Sequence, residues 1–281
     1  MSDALRISCE FSPPRTDRAA HNLRGARRRL QRLQPDFFSV TYGAGGSTRE
    51  GTRNAVLEIV QDGLAAAPHL SHSGSDADLI DMLERYREAG IRRVVALRGY
   101  RPSGFGPGDG LVYGSQVVTL IREHYGDHFH IEVACYPEVH PDSRSPADDL
   151  HWFKVKVDAG ADSAITQYFY NADAYFDFVD RCRAAGITIP IVPGVMPITN
   201  FQRLVQFSDR CSAEIPQWLR RRLSELDGDT EALRAFGVDV VTALCERLIA
   251  GGAPGLHFYT LNQSRATLAI AANLGLLGDD G

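Results

Sequence analysis

Short apolar runs of strand length alternate along this chain with longer stretches whose apolar residues recur at helical spacing. Leu5, Ile7, Cys9 and Phe11 alternate at period two, and Pro13-Pro14 cannot donate ladder hydrogen bonds, so a first strand ends within two or three residues of Glu10. A helix follows over Asp17–Leu33, then a strand over Asp36–Tyr42 that runs into Gly43-Ala44-Gly45-Gly46-Ser47-Thr48, and a second helix from Arg49. The rhythm continues with strands over Ala65–Leu70, Ile91–Leu97, Phe129–Cys135, Ser163–Phe169, Ile189–Val195 and Gly255–Leu261. Helices over Asp76–Ala89, Leu111–Tyr125, Pro146–Ala159, Ala174–Ala185 and Arg265–Leu274 separate or follow them. Extra helices are expected over Phe201–Cys211, Ile215–Leu226 and Thr230–Ala250, and the Gly- and Pro-rich loop Arg98–Gly110 is a candidate lid.

Eight strand-then-helix units without hairpin signals imply parallel strands and predict an α/β fold, a (β/α)₈ TIM barrel with extra helices between strands 7 and 8. A doubly wound open sheet is the alternative. Against it, the first βα turn carries Pro13-Pro14 where a dinucleotide fold needs G-x-G-x-x-G, and the glycines after the second strand have the wrong spacing. At 281 residues and 44% hydrophobic, residues 1–281 are expected to form a single barrel domain. A net charge of −5 argues against a nucleic-acid or anionic-membrane partner. The basic run Arg24–Arg32 carries an apolar stripe of Leu23, Ala26, Leu30 and Leu33, which fits a solvated helix face. No membrane span or signal-peptide core is legible, and five scattered cysteines read as reduced thiols, so the expected location is cytoplasmic.

The polar residues at strand ends carry the chemistry. Glu10, Thr41, His69, Arg98, Tyr136, Glu138, His140, Gln167, Tyr259 and Asn262 all fall at or just beyond strand C-termini, which a barrel gathers on one face. Singly, each fits an ordinary structural group, and Glu10 fits a surface carboxylate on an edge strand; together they predict a site. A carboxyl held between Cys9 and Phe11 at a strand end is placed to donate a proton to a bound ligand. Lys154 and Lys156 are the only lysines and lie within a helix, so a Schiff-base nucleophile is missing. Glu10 and Glu138 are the only strand-end acids, too few for a hydrolytic metal cluster, and no metal site is expected. One acid, one amide, several aromatics and a Gly-rich turn suit a flat heterocycle bearing phosphates.

Six strings in order carry a family resemblance: Glu10-Phe11-Ser12-Pro13-Pro14, Ser39 to Thr48, Ala96-Leu97-Arg98-Gly99, Tyr136 to Pro141, Ala164-Ile165-Thr166-Gln167, and His257 to Asn262. The chain resembles the bacterial 5,10-methylenetetrahydrofolate reductases over nearly its whole length. The resemblance implies a barrel in which NADH or NADPH reduces FAD and hydride then passes to the folate. It makes Glu10 the general acid that opens the folate's five-membered ring. It places Thr41, Tyr42, Ala44, His69, Arg98, Gly99, Tyr136, His140, Asp149 and Lys156 against FAD. Gln167 matches an amide shared by folate and nicotinamide, and Phe207 an aromatic that packs on either. The sequence leaves open the oligomeric state, a homo-oligomer included.

The departures from the family pattern gather on the flavin side. Tyr100 stands where relatives have Asp, Trp152 where they have Asn, and Val155 where they have an Arg near the FAD pyrophosphate. Losing one such cation weakens a charge-assisted contact by roughly 1.5–3 kcal/mol, about ten- to a hundred-fold in affinity. A flavin-free branch of the family, with direct hydride transfer from NAD(P)H, is therefore an alternative, and a catalytically retired ligand-binding barrel is another. Arg203 stands where some relatives have Gln, and Gln263 where those have Arg, which suggests that a cation and an amide have exchanged places around the folate tail.

Overall fold

Every strand but one is followed by at least one helix in the computed structural model, which describes residues 5–42, 49–71, 75–98 and 113–277. The strands are β1 (Arg6–Phe11), β2 (Phe37–Val40), β3 (Ala66–Ser71), β4 (Arg93–Leu97), β5 (His130–Cys135), β6 (Ser163–Thr166), β7 (Ile191–Val192), β8 (Gly194–Val195) and β9 (Gly255–Tyr259). The helices are α1 (Asp17–Leu30), α2 (Arg49–Gln61), α3 (Asp76–Glu88), α4 (Gly114–Tyr125), α5 (Pro146–Asp158), α6 (Ala172–Ala184), α7 (Phe201–Cys211), α8 (Gln217–Glu225), α9 (Thr230–Ala250) and α10 (Arg265–Asn273). All strand pairs are parallel, in the order β7-β6-β5-β4-β3-β2-β1-β9-β8.

The seventh strand departs from the expectation of one run over Ile189–Val195. It is broken at Pro193: β7 pairs with β6, whereas β8 pairs with β9. Pro193 has no N–H to give to a ladder, but its carbonyl accepts from His257 N at 3.0 Å, and Gly194 N donates to Thr166 Oγ1 at 2.9 Å. The two pieces thus join the ends of the sheet, and nine short segments make the staves of a (β/α)₈ barrel. The sixth strand also stops earlier than expected, at Thr166 rather than Phe169. Beyond it the Tyr168 amide is taken by Gln167 Oε1 at 3.0 Å, and Tyr168, Phe169 and Tyr170 pack inward as a loop.

Both faces of the sheet are covered, so its strands are almost continuously buried. Between strands and helices lies the larger core, where Leu30, Ile59, Leu83, Ile121, Phe129 and Phe178 are fully buried. Each such side chain stabilises the fold by about 1.5–3 kcal/mol. Inside the barrel a separate cluster of Phe37, Ala67, Val95 and Ile165 packs with Leu97 and Tyr259. Buried Glu132 joins this interior through an ion pair to Arg93 and a 2.5 Å bond from Ser163 Oγ, while the Arg93 guanidinium lies 4.6 Å over the Phe37 ring. Burial alone would raise the Glu132 pKa, but bonds from His130 and Ser163 and the Arg93 charge outweigh it and hold the carboxyl below its usual range. Side-chain caps start the helices sharply: Thr16, Ser145, Asn171, Asn200 and Asp229 each accept from a first-turn amide. No described helix is long and apolar enough to cross a membrane.

Candidate active site

Glu10 is the penultimate residue of β1, its carboxylate lies at the mouth of the barrel, 18% exposed, and two histidines face it. His69 Nε2 lies 3.4 Å and His257 Nε2 3.8 Å from Glu10 Oε2. The register explains the meeting: Glu10 pairs with Tyr259 and Ser8 with His257, so residues two apart on β1 and β9 share the inner face. His257 is 1% exposed, and its Nδ1 lies 2.7 Å from Ser8 Oγ, which leaves Nε2 aimed at the carboxylate. Among the described residues both Nε2 atoms are buried without a hydrogen-bond partner, as are Ser39 Oγ and Thr41 Oγ1. Burial lowers the His69 pKa, and His257 lowers it further; the Glu10 charge opposes both. Uncommitted buried polar atoms at strand C-termini are the expected signature of a site that binds a polar ligand.

Backbone contacts hold Glu10 from behind. Thr260 Oγ1 donates to the Glu10 carbonyl at 2.6 Å, Asn262 Oδ1 accepts from Ser12 N at 2.8 Å, and Asn262 Nδ2 donates to Ser12 O at 2.9 Å. Tyr259 OH donates across the barrel to the Thr166 carbonyl at 2.7 Å. Gly194 lies beneath that bond, and a Cβ there would come within 2.2 Å of Thr166 O and 2.5 Å of Tyr259 Cε2. Ser8, His257 and Thr260 were not singled out as site residues on sequence grounds. Their signal was available in the strand period, which puts His257 on the same face as Tyr259.

A second group of expected residues is joined by contacts around the end of β5. Tyr136 and His140 meet edge to face with ring centroids 4.5 Å apart. Asp149 accepts from His140 N at 3.3 Å and from Ser143 Oγ at 2.9 Å, and His140 Nδ1 accepts from Asp142 N at 3.0 Å. Arg98 donates to Asp142 at 2.6 Å and lies 5.9 Å over the Tyr113 ring, which stacks on exposed Trp152. Half-buried Lys156 donates to the Ala134 carbonyl, and desolvation lowers its pKa against the opposing charges of Cys135 and Asp149. Lys154 turns outward instead and pairs with Asp158 at 2.7 Å.

The substrate-side expectations are more scattered. Gln167 is half-buried just beyond β6, where its backbone N–H donates to Cys135 O at 2.8 Å. Phe207 is 38% exposed on α7, Arg203 lies exposed in the first turn of that helix, and Gln263 is exposed in the loop after β9. Among the described residues no hydrogen bond or ion pair joins Arg203 to Gln263. Thr41 and Tyr42 lie just beyond β2. Ala44, Gly99, Tyr100 and nearly all of the candidate lid lie outside the described residues.

The methylenetetrahydrofolate reductase family model matches residues 2–275. The 5,10-methylenetetrahydrofolate reductase of Escherichia coli is 40% identical over 275 residues, covering 97% of this chain and 91% of that protein. Methylenetetrahydrofolate reductase (NADH) 1 of Arabidopsis thaliana is 38% identical over 289 residues, 97% of this chain but 49% of the longer plant protein. Among solved structures, an uncharacterized Clostridium thermocellum protein that binds two copies of 5-methyl-5,6,7,8-tetrahydrofolic acid has the same fold, with a TM-score of 0.62 at 17% identity over 99% of this chain and 95% of that one. A barrel with an acid-histidine cluster at its mouth, matched along its length by this family model, is a member of the methylenetetrahydrofolate reductase family.

Proposed function

We propose that this protein reduces 5,10-methylenetetrahydrofolate to 5-methyltetrahydrofolate with NADH or NADPH as the electron source, and that Glu10 is its general acid. The observation that carries the assignment of Glu10 is its place between His69 and His257 at the barrel mouth, in a chain of this family. The bridging carbon of the substrate is a poor hydride acceptor while both ring nitrogens hold it. A proton delivered to one nitrogen makes that amine a leaving group, the C–N bond breaks, and the remaining nitrogen stabilises an electrophilic iminium. His257, fixed by Ser8, and His69, kept largely neutral by burial, orient the Glu10 carboxyl and relay a replacement proton toward it.

The residues present fit FAD. Thr41 Oγ1 and His69 Nε2 are buried polar atoms with no committed partner among the described residues, and Tyr136, His140, Arg98 and Lys156 line up along the β4–β5 side. Thr41, Tyr42, His69, Arg98, Tyr136, His140, Asp149 and Lys156 would hold the cofactor, together with Ala44 and Gly99. When bound, FAD supplies two-electron relay between the nicotinamide and the folate. Gln167 presents an amide to either ligand, and Phe207 a ring face. A second reading, direct hydride transfer from NAD(P)H without flavin, is favoured by Val155 on α5 and by Lys154, which is engaged with Asp158 rather than free to replace the missing cation.

The test is anaerobic turnover by purified protein. NAD(P)H-dependent conversion of the methylene to the methyl folate, by protein whose visible spectrum shows bound oxidised flavin, is the expected result. Colourless protein with the same turnover, unchanged by added FAD, selects the direct-transfer reading. Absence of turnover with either nucleotide, with and without FAD, overturns the reductase assignment.

A further inference from the structure

Behind Tyr136 and Gln167 the chain closes a small void of about 10 Å³, lined also by Glu138, Tyr168, Cys211 and Ser212. Glu138 reaches into it from the loop after β5. Oε2 of Glu138 accepts from the backbone N–H of Glu214 at 2.7 Å, in the turn between α7 and α8, and its buried Oε1 has no hydrogen-bond partner among the described residues. The backbone is bent to put the carboxyl there. Val139 N donates to Tyr136 O at 3.4 Å, and Val139 holds a φ of 76°, a left-handed conformation that a β-branched residue keeps only where its surroundings impose it. An apolar side chain of the same size would fill this place without desolvating an acid, so stability alone does not account for the carboxyl.

What the carboxyl holds is the far end of α7. Arg203, Phe207 and Cys211 recur every four residues and so lie along one ridge of that helix, and Cys211, at its C-terminal end, lines the void. One turn back, Ser208 Oγ lies 3.0 Å from the hydroxyl of Tyr168, the residue directly after Gln167. These two contacts tie α7 to the ends of β5 and β6, and only the Glu138 contact reaches past the helix to its following turn. We propose that Glu138 is a positioning residue for the reductase: by latching the Glu214 amide it fixes the end of α7 and, through that ridge, the reach of Phe207 and Arg203 toward the folate. The inference rests on the reductase reading above and adds a residue that acts through α7 rather than on the substrate.

The groups that face the carboxyl are the Glu214 amide and charge from the α7–α8 turn, Tyr168 from the loop after β6, Cys211 from α7 and Tyr136 from its own loop. No described cation pairs with it, and burial pushes both tyrosines up, so they stay neutral near pH 7. The latched carboxyl titrates at about 7 and one released to water near 4.5. The latch therefore weakens as pH rises between those values and levels off above them.

The test compares wild-type protein with Glu138→Gln, which keeps an oxygen for the Glu214 amide but no charge, and Glu138→Met, which fills the space and removes that acceptor. Folate KM, kcat and hydrogen exchange over residues 212–216 are measured between about pH 5.5 and pH 8. At the lower pH, Glu138→Met should keep the wild-type thermal midpoint or exceed it, yet raise the folate KM about ten-fold with kcat within about three-fold, and exchange residues 212–216 about ten-fold faster. Glu138→Gln should match the wild type in KM and exchange at the lower pH, and the ratio of wild-type KM to its own should grow about three-fold or more by the higher pH. An unchanged KM or unchanged exchange in Glu138→Met, or a KM ratio that stays flat with pH in Glu138→Gln, overturns the inference and leaves the reductase assignment standing. Should Glu138→Met unfold below the assay temperature, the Glu138→Gln ratio decides alone. A wild type that reduces no methylene folate with either nucleotide overturns the reductase assignment and the inference with it.

Discussion

Asn262 and Ser12 hold one another through two reciprocal hydrogen bonds, side-chain oxygen to backbone N–H at 2.8 Å and side-chain nitrogen to backbone carbonyl at 2.9 Å. The clasp joins the ends of β1 and β9, the two strands that present Glu10 and His257. Asn262 holds a left-handed φ of 59°, which Asn tolerates better than most residues. Asn262→Ala should lose about 1–3 kcal/mol of stability and about ten-fold in kcat. Asn262→Gly relieves the backbone but not the missing bonds, so its kcat should stay low. Wild-type turnover in the glycine variant would show that the clasp stabilises the barrel without positioning Glu10.

Glu10→Gln keeps the shape of the side chain and removes its transferable proton. Folate reduction should fall by at least about a hundred-fold, while folate and nucleotide binding persist. Near wild-type turnover would sink the assignment of Glu10 as the acid.

Gly194 is required by close approach. The Cβ of an alanine would need to occupy space 2.2 Å from the Thr166 carbonyl, which is backbone and moves little, and 2.5 Å from the Tyr259 ring. Gly194→Ala should therefore cost about 3 kcal/mol or more, read from the denaturant midpoint at unchanged m-value. A loss under 1 kcal/mol would mean that β8 shifts freely against β9.

Glu138 titrates far from its usual range. Burial pushes its carboxyl up to about 7, the Glu214 amide partly opposes this, and the Glu214 charge adds to it. Its Oε2 accepts from Glu214 N at 2.7 Å, while buried Oε1 has no partner among the described residues. The unfolded chain loses this proton near 4.5 and the folded one near 7, so the folded state binds more protons between those values. Stability thus falls as pH rises through that window and is flat above it. Glu138→Gln is neutral throughout and should gain on the wild type by about 1–2 kcal/mol between pH 5 and pH 8, allowing for screening at a half-buried group. Melting curves of the two proteins that run parallel across that range would refute the shift.

Val155→Arg should strengthen FAD retention about ten-fold or more, measured as flavin remaining after gel filtration. The reason is that Lys154 is held by Asp158 and Lys156 by the Ala134 carbonyl, which leaves the α5 face short of a free cation. Wild-type protein that keeps stoichiometric flavin through long dialysis would show that these two lysines suffice.

Period-two alternation and the placing of polar residues at strand ends were enough to determine a parallel barrel with those residues gathered at one end of it, because both follow from local backbone geometry. The positions of Glu10, His69, Arg98, Tyr136, His140 and Gln167 at or near strand C-termini were legible in that way. Local pattern did not reveal that the seventh strand changes partner at Pro193, since a proline's missing N–H has a different effect on an edge strand and at a closing seam. Nor did it reveal the approach of His257 to Glu10 across 247 positions of chain, which only the β1–β9 register creates. The commitments of Lys154 to Asp158 and Lys156 to Ala134, and the meeting of Arg29 and Arg265 in one cleft, likewise belong to the tertiary structure. A residue's type states which partner it can take, but side-chain direction and packing decide which partner is within reach.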